Sequence, residues 1–264
     1  MIYITGDCHK DFSRFTLENF PEQKEMTKDD YVIICGDFGG VWWSRNDKGS
    51  KTDDFDLNWL EDRPFTTLFV DGNHENFDEL YQYPVKEWKG GKVHEIRPSV
   101  LHLMRGEIFE INGKKIFAFG GARSHDIKDG IIEWDEEGKW KETASQWKKE
   151  GKQFRINHYS WWEEEMPSDE EIRNAWTNLD KHDFKVDYIV THCCSSFVEH
   201  CYWSQKYQNF SFAADFNTHD KITDAFDLIR DKVDYKCWFF GHYHDDKKVF
   251  DKDIVLYHQI TRIA

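Results

Sequence analysis

The sequence predicts an α/β fold, and two observations carry that prediction. First, five short apolar runs each lead straight into polar residues. Residues 2–5 run into Gly6-Asp7-Cys8-His9, 31–35 into Gly36-Asp37, and 68–71 into Gly72-Asn73-His74-Glu75; residues 188–191 run into His192 and 237–240 into Gly241-His242-Tyr243-His244. Such runs, rich in β-branched and aromatic residues and bounded by Gly, are buried strands. Second, the rhythm changes along the chain. The first ~95 residues alternate strand and helix, as βαβ units with a parallel sheet do, whereas the chain from Val100 onward turns to hairpins. That switch predicts a second, partly antiparallel sheet.

Taken in order, the first strand is followed by a polar stretch at 11–20 and the second by a loop rich in Gly and Trp. Residues 53–62 have helical spacing ahead of strand three. The runs 100–104, 107–111 and 114–119 come next, and Asn112-Gly113 between the last two is the preferred pair for a type I′ hairpin turn. Residues 121–180 hold six of the twelve Trp (Trp134, Trp140, Trp147, Trp161, Trp162, Trp176) and no convincing strand. Charge is blocked there: 133–137 acidic, 139–155 mostly basic, 163–171 acidic again. Ser168 followed by Glu171 reads as an N-cap with its capping-box partner. This segment is therefore expected to be a helical, Trp-rich insertion over the core, its Trp residues serving packing, with a lid or dimer contact as the sharper alternative. A strand at 186–190, a polar and aromatic loop, a helix at 219–233 and the strand ending at His242 follow. In that helix Ile222, Ala225, Phe226 and Ile229 share one face. A final pair at 247–250 and 254–259 closes the chain. With no Pro/Gly/Ser-rich linker, residues 1–264 are expected to form one domain.

The formal charge of −15 argues against stable binding to duplex nucleic acid, which needs a basic face. It leaves a phosphate substrate open, since bound cations reverse the local field of an acidic protein. No charged n-region and apolar h-region opens the chain, and no run approaches the ~18 apolar residues of a membrane span. A cytoplasmic protein with no membrane partner is expected, and nothing in the pattern fixes an oligomeric state. The six Cys include no CxxC pair, so they read as small buried hydrophobes.

Asp-x-His alone is a weak signal, as Asp180-Lys181-His182 at a charged helix end illustrates. Asp7 and His9 differ in context, because Gly6 lets the chain turn sharply after a strand; a capping pair is the bland alternative. Carboxylate oxygen mixed with imidazole nitrogen suits Mn, Fe or Zn better than Ca or Mg alone. One carboxylate, Asp37, can bridge two metals at the ~3.5–4 Å separation of two-metal hydrolytic sites. Asn73 offers a neutral amide oxygen. Adjacent residues leaving a strand point apart, so if Asn73 reaches a metal, His74 points into substrate space. His242 and His244, two residues apart, are spaced to take different metals.

In this order (Asp-x-His, Gly-Asp, Gly-Asn-His-Glu, a lone His, Gly-His-x-His) the motifs closely resemble the calcineurin-like metallophosphoesterase family, most nearly its bacterial or phage-type members. The likeness runs from Ile2 to about Tyr257. It implies a four-layer α/β/β/α sandwich with two central mixed β-sheets. It also implies one metal site of Asp7, His9, Asp37 and His244, and another of Asp37, Asn73, His192 and His242. His74 would be the catalytic His that is not a ligand. A hydroxide bridging two transition-metal ions (Mn, Fe or Zn) would attack phosphorus in line, with His74 assisting the leaving group. The implied activity is that of a phosphodiesterase or broad phosphatase on small or nucleotide-like substrates. A non-catalytic scaffold, a nuclease and a protein serine/threonine phosphatase are the alternatives within the fold. The chain departs from the protein-phosphatase branch in two places. Lys10 stands where that branch has Gly, and Gly36-Asp37-Phe38-Gly39-Gly40 lacks its Asp-Arg-Gly element. Arg123 or Arg45 is the candidate replacement for the missing substrate-binding arginine.

Overall fold

The computed structural model describes residues 1–44, 47–207 and 219–264. β1 (Ile2–Thr5), β2 (Tyr31–Ile34) and β3 (Thr66–Phe69) are four buried residues each, paired in parallel with Ile4 opposite Ile33 and Ile33 opposite Leu68. Strands covered on both faces have no solvent-facing side to mark with charged residues, which is why these runs do not alternate. β4 (Val85–Trp88), β5 (Gly91–Arg97), β6 (Val100–Leu103) and β15 (Thr261–Arg262) complete a mixed sheet in the order β15-β1-β2-β3-β6-β5-β4. The second mixed sheet comprises β7 (Glu107–Ile111), β8 (Lys114–Phe119), β11 (Tyr188–Thr191), β12 (Cys237–Phe240), β13 (Lys247–Phe250) and β14 (Asp253–Val255). Its order is β13-β14-β12-β11-β8-β7. Asn112 (φ 51°) and Gly113 (φ 72°) make the expected turn, setting Ile111 opposite Lys114.

The pleat distributes side chains among three cores. Ile2 and Ile4 of the first sheet join Ile116, Ala118, Val190 and Phe239 of the second in one cluster. Tyr3, Val32 and Ile34, from the opposite face, pack with Leu57 and Leu60 of α1 (Ser50–Glu61). Phe117 and Phe119 pack with residues of α4 (Asp169–Lys181), α5 (Ser196–Tyr207) and α6 (Lys221–Lys232). The capping box predicted at Ser168 and Glu171 is present.

Several elements depart from expectation. The run 100–104 belongs to the first sheet, because β6 pairs with β3 in parallel. Between β1 and β2 there are two 3₁₀ turns, at Ser13–Phe15 and Pro21–Glu25. The β4–β5 hairpin lacked an apolar signal because β4 is mostly exposed. The loop expected after β11 is helix over Ser196–Tyr207 (α5), which buries Val198 and Tyr202, and its remainder at 208–218 lies outside the described residues. The segment 121–180 is not wholly helical. β9 (Gly130–Ile132) and β10 (Phe154–Ile156) form a small parallel sheet on either side of α3 (Trp140–Lys149) in sequence. Three-residue strands are too short to show a period. α4 lies with the core, burying Ala175 and Leu179 against the second sheet. Trp162 is fully buried, Trp147 packs edge-on to Phe154, and Trp134 is exposed.

All six Cys are free, and Cys8, Cys35, Cys193 and Cys194 are buried. Burial pushes the Cys8 thiol up to about 12, so it stays a neutral hydrophobe beside the motif it belongs to. Among the described residues no helix is long and apolar enough to cross a membrane.

Candidate metal centre

The carboxyl ends of β1, β2, β3, β11 and β12 meet where the two sheets come together, and hydrogen bonds across that seam fix the motifs. The His242 N–H donates to Asp7 Oδ1 (2.9 Å), and His192 Nδ1 meets the Cys35 carbonyl (2.8 Å). The His74 N–H donates to Asp37 Oδ1 (2.8 Å). Two glycines allow this closeness. A Cβ on Gly72 would sit 2.0 Å from Asp37 Oδ1, and one on Gly241 would sit 2.0 Å from Asp7 Oδ1.

Two donor groups result. One ligand atom from each of Asp7, His9, Asp37 and His244 lies within 4.8 Å of every other. In this group His9 Nε2 is 2.9 Å from His244 Nε2, and His244 Nε2 is 3.1 Å from Asp7 Oδ2. In the second group His192 Nε2 is the hub, 3.2 Å from Asn73 Oδ1, 3.3 Å from Asp37 Oδ1 and 3.3 Å from His242 Nδ1. Asp37 faces both, since its Oδ2 lies 3.7 Å from His9 Nε2. All seven sequence-predicted candidates thus converge. His74 lies beside them, its ring edge-on to His9 at 5.5 Å between centroids.

The donor chemistry fits metal ions. Asp7, Asp37 and His192 are essentially fully buried, and buried charge requires a partner. Burial opposes charge on Asp37, yet the adjacent His192 outweighs it and holds the carboxyl far below the usual range. Burial likewise opposes charge on His192, but Asp37 and Asp7 push its imidazole up to about 10. Positive charge is therefore favoured where these donors meet, and cation binding displaces protons from such ligands. His192 Nδ1, turned to a backbone carbonyl, leaves Nε2 for the cluster, the usual outer-shell arrangement of a metal-binding His.

Several residues that hold the site were not singled out from the sequence. Glu75 accepts from Phe38 N (2.6 Å) and Gly39 N (3.1 Å), tying the turn after Asp37 to the Asn73 loop. Arg14 donates to the Asp7 carbonyl (2.6 Å), to Thr5 Oγ1 (2.8 Å) and to the Tyr257 carbonyl. Lys10 has φ 66°, a conformation natural to the Gly expected there, and its ammonium is held by Asp53. His125 Nε2 lies 2.8 Å from His242 Nε2. Arg155 grips Asp126 with Nε at 2.8 Å and Nη2 at 2.6 Å, close enough for its charge to lower His74, whose imidazole burial already depresses. Arg14 and Arg155 carry no motif, and only their contacts reveal them; Lys10 stood out in the sequence as a departure, but not its hold by Asp53. Of the two arginines proposed from sequence, Arg123 is exposed at this rim and its charge acts on His125, while Arg45 lies outside the described residues.

Carboxylates, imidazoles and one amide gathered at the joined ends of two mixed sheets define an α/β protein built around an Asp/His cluster fit for metal ions. The chain belongs to the calcineurin-like phosphoesterase family, whose model matches residues 1–246. That family uses divalent metal ions. Among curated relatives, lariat debranching enzyme A of Xenopus laevis is 26% identical over 146 residues, which cover 50% of this chain and 26% of that protein. The lariat debranching enzyme of Danio rerio is 24% identical over 147 residues, 50% of this chain and 24% of that protein. The one from Schizosaccharomyces pombe is 28% identical over 141 residues, 49% and 28% respectively. The matched stretch spans about a quarter of the length of these relatives.

Proposed function

We propose that this chain is a dinuclear-metal phosphoester hydrolase acting on phosphodiester bonds in small or nucleotide-like substrates. The observation that carries the reading is Asp37, whose two oxygens face two separate donor groups. Asp7, His9, Asp37 and His244 would hold one transition-metal ion (Mn, Fe or Zn), and Asp37, Asn73, His192 and His242 the other. Such ions polarise phosphoryl oxygens and acidify water. His74, anchored through its backbone to Asp37, stands free of the donor groups to hold a phosphoryl oxygen or give a proton to the leaving oxygen. Arg123 at the rim would bind a substrate phosphate. The whole chain, 1–264, would work as one domain with the segment 121–168 laid over the core.

The likeness to lariat debranching enzymes supports a diester rather than a monoester substrate. The direct comparison is the Mn2+-loaded protein on bis-p-nitrophenyl phosphate and on p-nitrophenyl phosphate. The diester is expected to turn over faster. A clear preference for the monoester would overturn the diesterase reading, and no turnover of either compound would favour the scaffold.

A further inference from the structure

Besides the His125 contact with His242, the segment 121–168 reaches the donor cluster by a buried path. Asn73 Nδ2 donates to Ser124 Oγ (3.2 Å), Ser124 Oγ donates to Glu165 Oε2 (2.6 Å), and Ser124 N donates to Glu165 Oε1 (2.9 Å). Asn73, Ser124 and Glu165 are 6%, 4% and 1% exposed, so water does not compete for these bonds. Glu165 sits in the 3₁₀ turn Glu163–Glu165, and the Arg105 guanidinium holds that turn by donating to the Glu164 carbonyl (2.7 Å).

From this geometry we propose that Glu165, acting through Ser124, is a positioning residue that sets which face of the Asn73 amide meets the metal site. It rests on the ligand role given to Asn73 above. An amide has an oxygen face and an NH2 face of nearly the same shape, and only the oxygen can bind a cation. Steric fit alone therefore leaves Asn73 free to flip, and the hydrogen-bond network must choose. Both Glu165 oxygens accept from Ser124, one from its N–H and one from its hydroxyl, so the single Ser124 hydroxyl proton is committed to Glu165. The Ser124 oxygen is left as an acceptor. It takes the Asn73 NH2, and that turns Oδ1 toward His192 and Asp37. A chain of three polar groups thus carries one instruction from the inserted segment to the cluster.

The decisive variant is Glu165→Gln, which keeps the shape and reverses the polarity. The Ser124 N–H still needs an acceptor, so the Gln oxygen takes the place of Oε1 and its NH2 faces Ser124 Oγ. Ser124 then donates to Asn73 and draws Oδ1 away from the cluster. Calorimetric titration of metal-free protein with Mn2+ is expected to show two ions for the unaltered chain. In Glu165→Gln one of the two should weaken by about 10- to 100-fold, the range of outer-shell changes at metal sites. Ser124→Ala frees the amide without reversing it and should lose less. Asn73→Asp presents oxygen on both faces, so adding Glu165→Gln to it should cost nothing further. A merely structural Glu165 predicts the opposite, since neutral Gln is cheaper to bury and would leave both affinities unchanged. Wild-type affinities in Glu165→Gln, with Asn73→Ala weakening one ion, overturn the positioning role alone. Unchanged affinities in Asn73→Ala overturn its ligand role and this inference with it.

Discussion

His9, Asp37, His242 and His244 have φ of 45°, 45°, 68° and 49°, a left-handed conformation that costs a non-Gly residue about 1–2 kcal/mol each. Such strain persists only where surrounding structure overrides it, and it gathers at functional sites. Here it aims side chains at one point immediately after a strand. The identity of these residues was legible because each followed an apolar run; their conformation was not, since nothing in His or Asp announces positive φ. Gly72→Ala tests the packing directly. Its Cβ would press on Asp37 Oδ1, so metal content by elemental analysis should fall while the fold survives by circular dichroism. Asp71 shows a different residue-scale effect. It is fully buried, accepts from Arg105 Nε (2.9 Å) and lies 2.9 Å from His102 Nε2, and burial's upward push on its carboxyl is outweighed by Arg105, which holds it low. A depressed folded value means its stabilisation is present above the unfolded carboxyl's ~3.9 and is lost as pH falls below that toward the folded value. Asp71→Asn removes the buried partner of Arg105 and leaves it only the longer pair to Glu171 Oε2 (3.5 Å), so urea unfolding at pH 7 should show a loss of up to about 3–5 kcal/mol.

At the scale of elements, the five motif-bearing strands were legible because full burial leaves an unbroken apolar signature. The small sheet of β9 and β10 was not, being three residues per strand, and α5 was hidden by its aromatic and polar mixture. The surface segment holds to the core through Asp78, at the start of α2 (Phe77–Leu80). Asp78 accepts from Trp162 Nε1 (2.7 Å) and meets His158 Nδ1 (2.9 Å), while Trp162 packs edge-on to Trp42. Asp78 lies four residues beyond His74, so the segment bears on the site through that backbone connection as well as through Glu165. Asp78→Ala should speed amide hydrogen exchange over residues 127–160 with little change in the two main sheets. Equal protection in variant and parent would show that the segment is anchored elsewhere.

For the whole molecule, the two sheets are joined at their interiors by apolar packing and at their carboxyl ends by the Asp/His cluster. The candidate donors come from both sheets, Asp7, His9, Asp37 and Asn73 from the first and His192, His242 and His244 from the second. An ion bound between them ties the sheets together, and binding only the folded state stabilises by about 2.7 kcal/mol at a hundredfold excess over Kd. Chelation should therefore lower the melting temperature, and Mn2+ should restore it. The order of the motifs made this architecture readable, because each short signal is weak and the set is specific. The rim beside His74 was only partly readable: Arg123 stood out in the sequence, whereas His125 and Arg155 reach the site only through folding. In the proposed centre, holding metal and doing chemistry fall to different residues, and His74→Ala separates the two. Metal content and turnover of bis-p-nitrophenyl phosphate would be read on the same sample. Two ions per chain, as in the parent, are expected, with turnover lowered about 100-fold or more. Full metal occupancy with an unchanged rate would contradict that division.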